Sequence, residues 1–175
     1  MTASHLLRAL FLLGLVLLTA CTQHAPLPEQ LPALDLPMQL HIQRRDRDGT
    51  RDSILVIQRE EAALRWSLLD PLGVPLARQL LRDGHWQADG LLPPNPEARE
   101  LFAALLFALT PRERLDRLYP GQAWTQRAGR RTLKLGASAA WQVRYGADGR
   151  FDLDVGPALT YGVAPIESDA GANRR

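Results

Sequence analysis

The chain has 175 residues, 46% of them hydrophobic, with 21 Lys and Arg against 19 Asp and Glu for a formal charge of +2. Charge so nearly balanced leaves no electrostatic footprint for nucleic acid, and a single cysteine excludes an internal disulfide, so the fold must hold through its core. Once a leader and a proline-rich stretch are set aside, about 130–140 residues remain, which suits one domain.

Residues 1–20 have the anatomy of a secretion signal: a weakly basic start from Met1 to Arg8, an apolar run from Ala9 to Leu18, and the small pair Thr19-Ala20 before Cys21. The apolar run is too short to span a bilayer. Leu18-Thr19-Ala20-Cys21 resembles a lipobox, so Cys21 is expected to carry lipid and become the new N-terminus. By that resemblance, Thr22 in place of an inner-membrane-retaining aspartate sends the protein to the outer membrane of a Gram-negative cell, facing the periplasm. Residues 21–37 follow as a tether in which Pro26, Pro28, Pro32 and Pro37 remove backbone donors and fix φ, so an extended stretch with little packing is expected.

Met38, Leu40 and Ile42 alternate with Gln39, His41 and Gln43, the period of a strand with one buried face. After a polar turn over Arg44 to Asp52, strands are predicted at Ser53 to Arg59 and at Ala63 to Leu69, where Leu64, Trp66 and Leu68 share a face. The chain breaks at Asp70-Pro71-Leu72-Gly73-Val74-Pro75, resumes as a strand from Leu76 to Arg82, and turns at Asp83-Gly84 into His85 to Ala88. Asn95 is placed to cap a helix with Pro96 and Glu97 in its first turn, and Pro111 ends it. Leu101 to Leu109 contains no polar residue, so this helix needs cover on every face. A short charged helix over Arg112 to Leu118 precedes strands at Thr132 to Leu135, Ala139 to Tyr145 and Arg150 to Val155, the last two joined through Ala147-Asp148-Gly149. Antiparallel strands interrupted by one apolar helix predict a mainly β, α+β domain over 38–161, with a curved sheet around or capped by the helix. Residues 162–175 are expected to be a disordered tail.

The four histidines, His5, His24, His41 and His85, contain no pair at ligand spacing, and no second cysteine is available for a metal. Ser53, Ser67, Ser138 and Ser168 stand in no nucleophile-elbow context, and the glycines form no phosphate loop. Asp70, Asp83, Asp148 and Glu97 each suit a turn or a cap. The reading is therefore no enzyme, no metal and no cofactor. Apolar features remain. The helix and the aromatics Trp66, Trp86, Phe102, Phe107, Trp124 and Trp141 suit a plain core and a ligand cavity equally, since both are lined alike. Leu72, at the tip of a Pro-x-Gly turn, points to a membrane or a hydrophobic partner unless the loop lies down and half-buries it.

The run Ala63 to Gly73, continued through Leu76-Ala77-Arg78, the Asp83-Gly84 hairpin, Leu91 and the apolar helix, resembles the central part of the LolB family. Those outer-membrane lipoproteins receive other lipoproteins from a periplasmic carrier and insert them in the inner leaflet. The match is closer still to LolB-like lipoproteins found beside aryl-polyene biosynthesis genes, and covers roughly Met38 to Val155. The resemblance implies a half-open β-barrel of the LolA/LolB type with a helical lid, holding acyl chains against the concave face. It implies that Leu72 engages the membrane, supported by Pro71 and Gly73; Trp66, Leu68, Phe102, Leu105 and Trp141 are candidates to line the cavity by their hydrophobic pattern alone. It implies, as partners, the membrane, an acylated lipid or lipoprotein cargo and a LolA-like carrier; a tethered monomer is the default expectation. A rigid Val74-Pro75 after the loop and a chain shorter beyond Val155 imply a specialised cargo. The alternative function is an accessory envelope lipoprotein that scaffolds a partner complex without binding lipid; an enzyme on a lipid-linked substrate is the third reading.

Overall fold

A computed structural model describes residues 25–137 and 139–166. The expected signal over residues 1–20, Cys21 and residues 167–175 lie outside them. Ten strands form one antiparallel sheet: β1 (Met38–Asp46), β2 (Gly49–Glu60), β3 (Ala63–Leu69), β4 (Pro75–Arg82), β5 (His85–Ala88), β6 (Trp124–Arg127), β7 (Arg130–Lys134), β8 (Ala140–Tyr145), β9 (Phe151–Gly156) and β10 (Leu159–Pro165). Their order in space is β5-β4-β3-β2-β1-β10-β9-β8-β7-β6, so the sheet is open, with β5 and β6 as its edges. Helix α1 (Pro96–Leu109), a 3₁₀ turn at Arg112–Arg114 and α2 (Leu115–Leu118) are inserted between the two halves.

Alternation decides which side of the sheet is covered. Leu40 and Ile42 of β1, Leu55 and Ile57 of β2, Leu64, Trp66 and Leu68 of β3, and Trp141 and Val143 of β8 are buried, and the intervening residues are more exposed. The Asp83-Gly84 and Asp148-Gly149 pairs both take positive φ (50° and 72°; 54° and 71°), the geometry a tight hairpin demands.

Helix α1 starts as its sequence predicts: Asn95 is extended and its Oδ1 accepts a hydrogen bond from the Ala98 amide at 3.0 Å. Every residue from Leu101 to Ala108 is buried. One helix reaches strands far apart in the sheet: Phe102 meets Trp66 of β3 and Trp86 of β5 at 5.3 and 5.8 Å between ring centroids, and Phe107 meets Trp141 of β8 at 6.5 Å. Such reach requires the sheet to curve around the helix. No helix among the described residues is long and apolar enough to cross a membrane.

Four boundaries differ from the sequence reading. The polar turn expected over Arg44 to Asp52 shrinks to residues 47–48, because β1 runs on to Asp46 and β2 starts at Gly49, their polar ends paired from Arg44 with Arg51 to Asp46 with Gly49. The proline-rich stretch from Ala25 is a packed strap: Pro28 and Pro32 are buried, Leu27, Leu31, Leu34 and Leu36 pack against the core, and the Glu29 amide donates to the Leu118 carbonyl at 2.9 Å. A helix apolar on every face needs cover away from the sheet, and the strap helps supply it. The expected tail from Gly162 is instead half of β10, whose residues pair with β1 on one side and β9 on the other; Tyr161 and Val163 are its buried alternation. Edge strand β6 has no counterpart among the expected strands, because only Trp124 in it is large and apolar.

Candidate functional site

Strand registers sort the turns into two ends. The turns at 47–48, 70–74, 135–139 and 157–158 share one end with Asn95 and the start of α1, because each adjoins the paired ends Asp46 and Gly49, Leu69 and Pro75, Lys134 and Ala140, or Gly156 and Leu159. Ala25 and Pro26 lie at this end too, lining a cleft with Pro96, Leu135 and Gly136. The turns at 61–62, 83–84, 128–129 and 146–150 lie at the other.

Leu72 stands at the tip of the 70–74 loop with 89% of its surface exposed. The loop is held upright by Asp70, whose Oδ1 accepts from the Leu72 and Val74 amides at 2.9 and 2.8 Å. Its backbone also exchanges bonds at both ends: Gly73 N–H to the Asp70 carbonyl at 3.0 Å, and Asp70 N–H to the Val74 carbonyl at 2.9 Å. Gly73 takes φ +85°, which an L side chain rarely adopts. Pro71 fixes the turn's entry. The loop does not lie down. Val74 and Leu76 extend the exposed apolar surface, at 55% and 46%, and Leu91 is fully exposed on the segment leading back to Asn95.

The proposed lining residues divide. Trp66, Phe102, Leu105 and Trp141 are fully buried; Trp66 and Phe102 stack on each other, and Trp141 meets Phe107, so α1 occupies the concave face. Leu68 differs. Together with Ile42, Leu76 and Leu101 it floors a cleft of about 290 Å³ between the start of α1 and strands β1–β3, whose polar rim includes Arg44, Arg51 and Glu97. His41, on the outer face, pairs with Asp52 at 2.9 Å, and a His85 ring nitrogen meets the Asp83 carbonyl at 2.7 Å.

Two polar clamps hold α1, and the sequence reading found neither. At its start, Glu97 accepts from Arg44 Nε at 2.6 Å and from the Tyr161 hydroxyl at 2.9 Å, and Arg44 also pairs with Asp46. The Arg44 hydrogen bond holds the Glu97 carboxyl below its usual range against the opposing effect of burial, and burial raises the Tyr161 hydroxyl. At its end, Arg131 of β7 is 4% exposed and its Nη1 donates to the carbonyls of Phe107, Ala108 and Thr110 at 2.7, 3.1 and 2.7 Å. Its guanidinium lies 5.5 and 5.2 Å from the Phe107 and Tyr145 ring centroids. Burial lowers the Arg131 pKa and pushes the Tyr145 hydroxyl up to about 12. The negative end of the helix dipole takes the place of a carboxylate. The available signal was parity: Arg131 falls two residues before Leu133, on the buried side of β7.

A mainly antiparallel, non-closed sheet packed on one buried helix, with an exposed apolar loop at the end where the helix starts, defines an open-sheet α+β class of protein. The chain belongs to the family described as protein of unknown function DUF3261, whose model matches residues 37–158. No curated protein matches it.

Proposed function

We propose that this protein is a LolB-like lipoprotein, anchored through Cys21 to the periplasmic face of the outer membrane, that takes up acyl chains of a lipid or lipoprotein and delivers them to that membrane. The observation that carries the reading is Leu72, held by the Asp70 hydrogen bonds at 89% exposure, at the end of the sheet where the helix and the strap both start. Inserting one such side chain gains about 1.5–3 kcal/mol, enough to hold the mouth at the acyl region and weak enough to release.

In this reading α1 is the lid. Acyl chains enter at the cleft floored by Leu68 and Leu76 and lodge between Trp66, Phe102, Leu105 and Trp141 as the helix shifts outward. Each methylene buried gains about 0.8 kcal/mol, so a chain of about fourteen carbons offers on the order of 10 kcal/mol toward displacing the helix and ordering the ligand. The clamps at Glu97 and Arg131 keep the empty protein shut. A LolA-like periplasmic carrier is the expected donor. The filled concave face favours a second reading, a scaffold lipoprotein with a dry core.

The test is native mass spectrometry on residues 21–175 with Cys21→Ser, titrated with a triacylated lipopeptide. One lipopeptide per chain is expected; a chain that takes up neither lipopeptide nor phospholipid moves the conclusion to the scaffold.

A further inference from the structure

We infer that the cleft between the start of α1 and the β7–β8 turn is a binding site for an anionic phospholipid of the bilayer, with Arg99 and Lys134 holding its phosphodiester. The inference rests on the membrane-facing orientation proposed above and adds a lipid class to it.

The cleft holds about 600 Å³ and has two kinds of wall. Ala25, Pro26, Leu135 and the buried Trp141 form an apolar side, while Arg99 and Lys134 contribute two cations. Among the described residues, neither cation has a carboxylate within salt-bridge distance; Arg99 uses its Nε on the Gln79 side-chain oxygen at 3.4 Å and keeps its terminal nitrogens. The acidic residue on the same wall, Glu100, has its Oε1 turned to the Trp141 indole N–H at 3.5 Å. Two uncommitted cations beside an apolar wall complement an anion that carries hydrocarbon, whereas a free phosphate makes no use of the apolar half.

Position selects the bilayer as the source. The cleft opens at the same end as Leu72, and its rim is the start of the strap. Four peptide units separate Cys21 from Ala25, at most about 14 Å of extended chain. A lipid-anchored Cys21 therefore keeps the cleft within a headgroup layer's reach of the surface. The phosphodiester would meet Arg99 and Lys134, and the glycerol and first methylenes would lie on Trp141, Leu135 and Pro26.

The test uses the lipidated protein in non-ionic detergent, given phosphatidylglycerol or phosphatidylcholine of equal chain length and read by native mass spectrometry. Retention of one phosphatidylglycerol is expected roughly tenfold above phosphatidylcholine, the size of one charge-assisted contact. Arg99→Gln with Lys134→Gln removes that preference while the protein stays folded, a modest drop in the melt being expected from the lost bond to Gln79; Lys134→Gln alone, at an exposed position, weakens the preference with the melt unchanged. Equal retention of the two lipids, an unaltered preference in the double variant, or displacement by a few equivalents of inorganic phosphate would overturn the site. Vesicle insertion by Leu72 is scored separately, so loss of lipid preference with insertion intact removes this inference alone. The preference surviving a Leu72→Glu variant that inserts normally removes the loop's role instead.

Discussion

A leucine with 89% of its surface in solvent contributes almost nothing to the core, so Leu72→Glu should leave stability within about 0.5 kcal/mol of the parent. A thermal melt checks that half of the prediction. The other half is functional: the variant should deliver no acylated cargo, and normal delivery would take the loop out of the mechanism. Arg131 is the opposite case, buried and invisible on the surface. Arg131→Met removes the donor to the Phe107, Ala108 and Thr110 carbonyls and should cost about 1–3 kcal/mol, the penalty of leaving buried acceptors unpaired. Urea unfolding measures it, and Arg131→Lys, which keeps charge but not the fork, should fall between. Leu72 was legible in the sequence because Pro-x-Gly chemistry fixes where a tip side chain points. Arg131 was not, because parity with Leu133 marks only its burial, and its partners, main-chain carbonyls of another element, leave no sequence mark.

At the scale of elements, α1 depends on local and tertiary causes that separate by pH. Asn95→Ala deletes the cap and should cost about 1 kcal/mol at any pH, since an amide does not titrate. Glu97→Gln should cost about 1 kcal/mol at neutral pH through the lost Arg44 and Tyr161 contacts. Glu97 has a folded-state pKa depressed from 4.5, chiefly by Arg44. Its contribution is thus fully present above 4.5 and is lost as pH falls through the depressed value. Melts of parent and variant should converge in acid, while the Asn95→Ala gap persists. The cap and the apolar stretch were readable because both rest on adjacent residues. Glu97 was read only as a first-turn acid, since its partners Arg44 and Tyr161 lie 53 and 64 residues away.

For the whole molecule, the proposed function predicts an orientation. With Cys21 lipidated, a spin label on Leu72→Cys should report bilayer depth in vesicles, and one on Asp83→Cys, in a turn at the far end of the sheet, should report water. Equal accessibility of the two labels would refute an end-on pose. The strap also ties anchoring to stability: Leu31→Ser, at a side chain packed on the core, should lower the melting temperature, which a free tether would not do.

What the sequence determined by itself is local: alternating strands, the Asp-Gly hairpins, the capped helix and the upright Pro-Leu-Gly loop, each set by side-chain period or backbone restriction within a few residues. Tertiary structure decided the rest. Prolines that forbid regular structure do not forbid packing, so the apolar core turns residues 25–37 into a strap by taking up their leucines. A short strand of small residues is stabilised by its neighbours, so Gly162 to Pro165 became sheet only because β1 and β9 offer unpaired edges on either side. Which residues share one end is a matter of register across ten strands, and that brought Leu72, Leu68, Arg99 and Lys134 to the same face of the molecule.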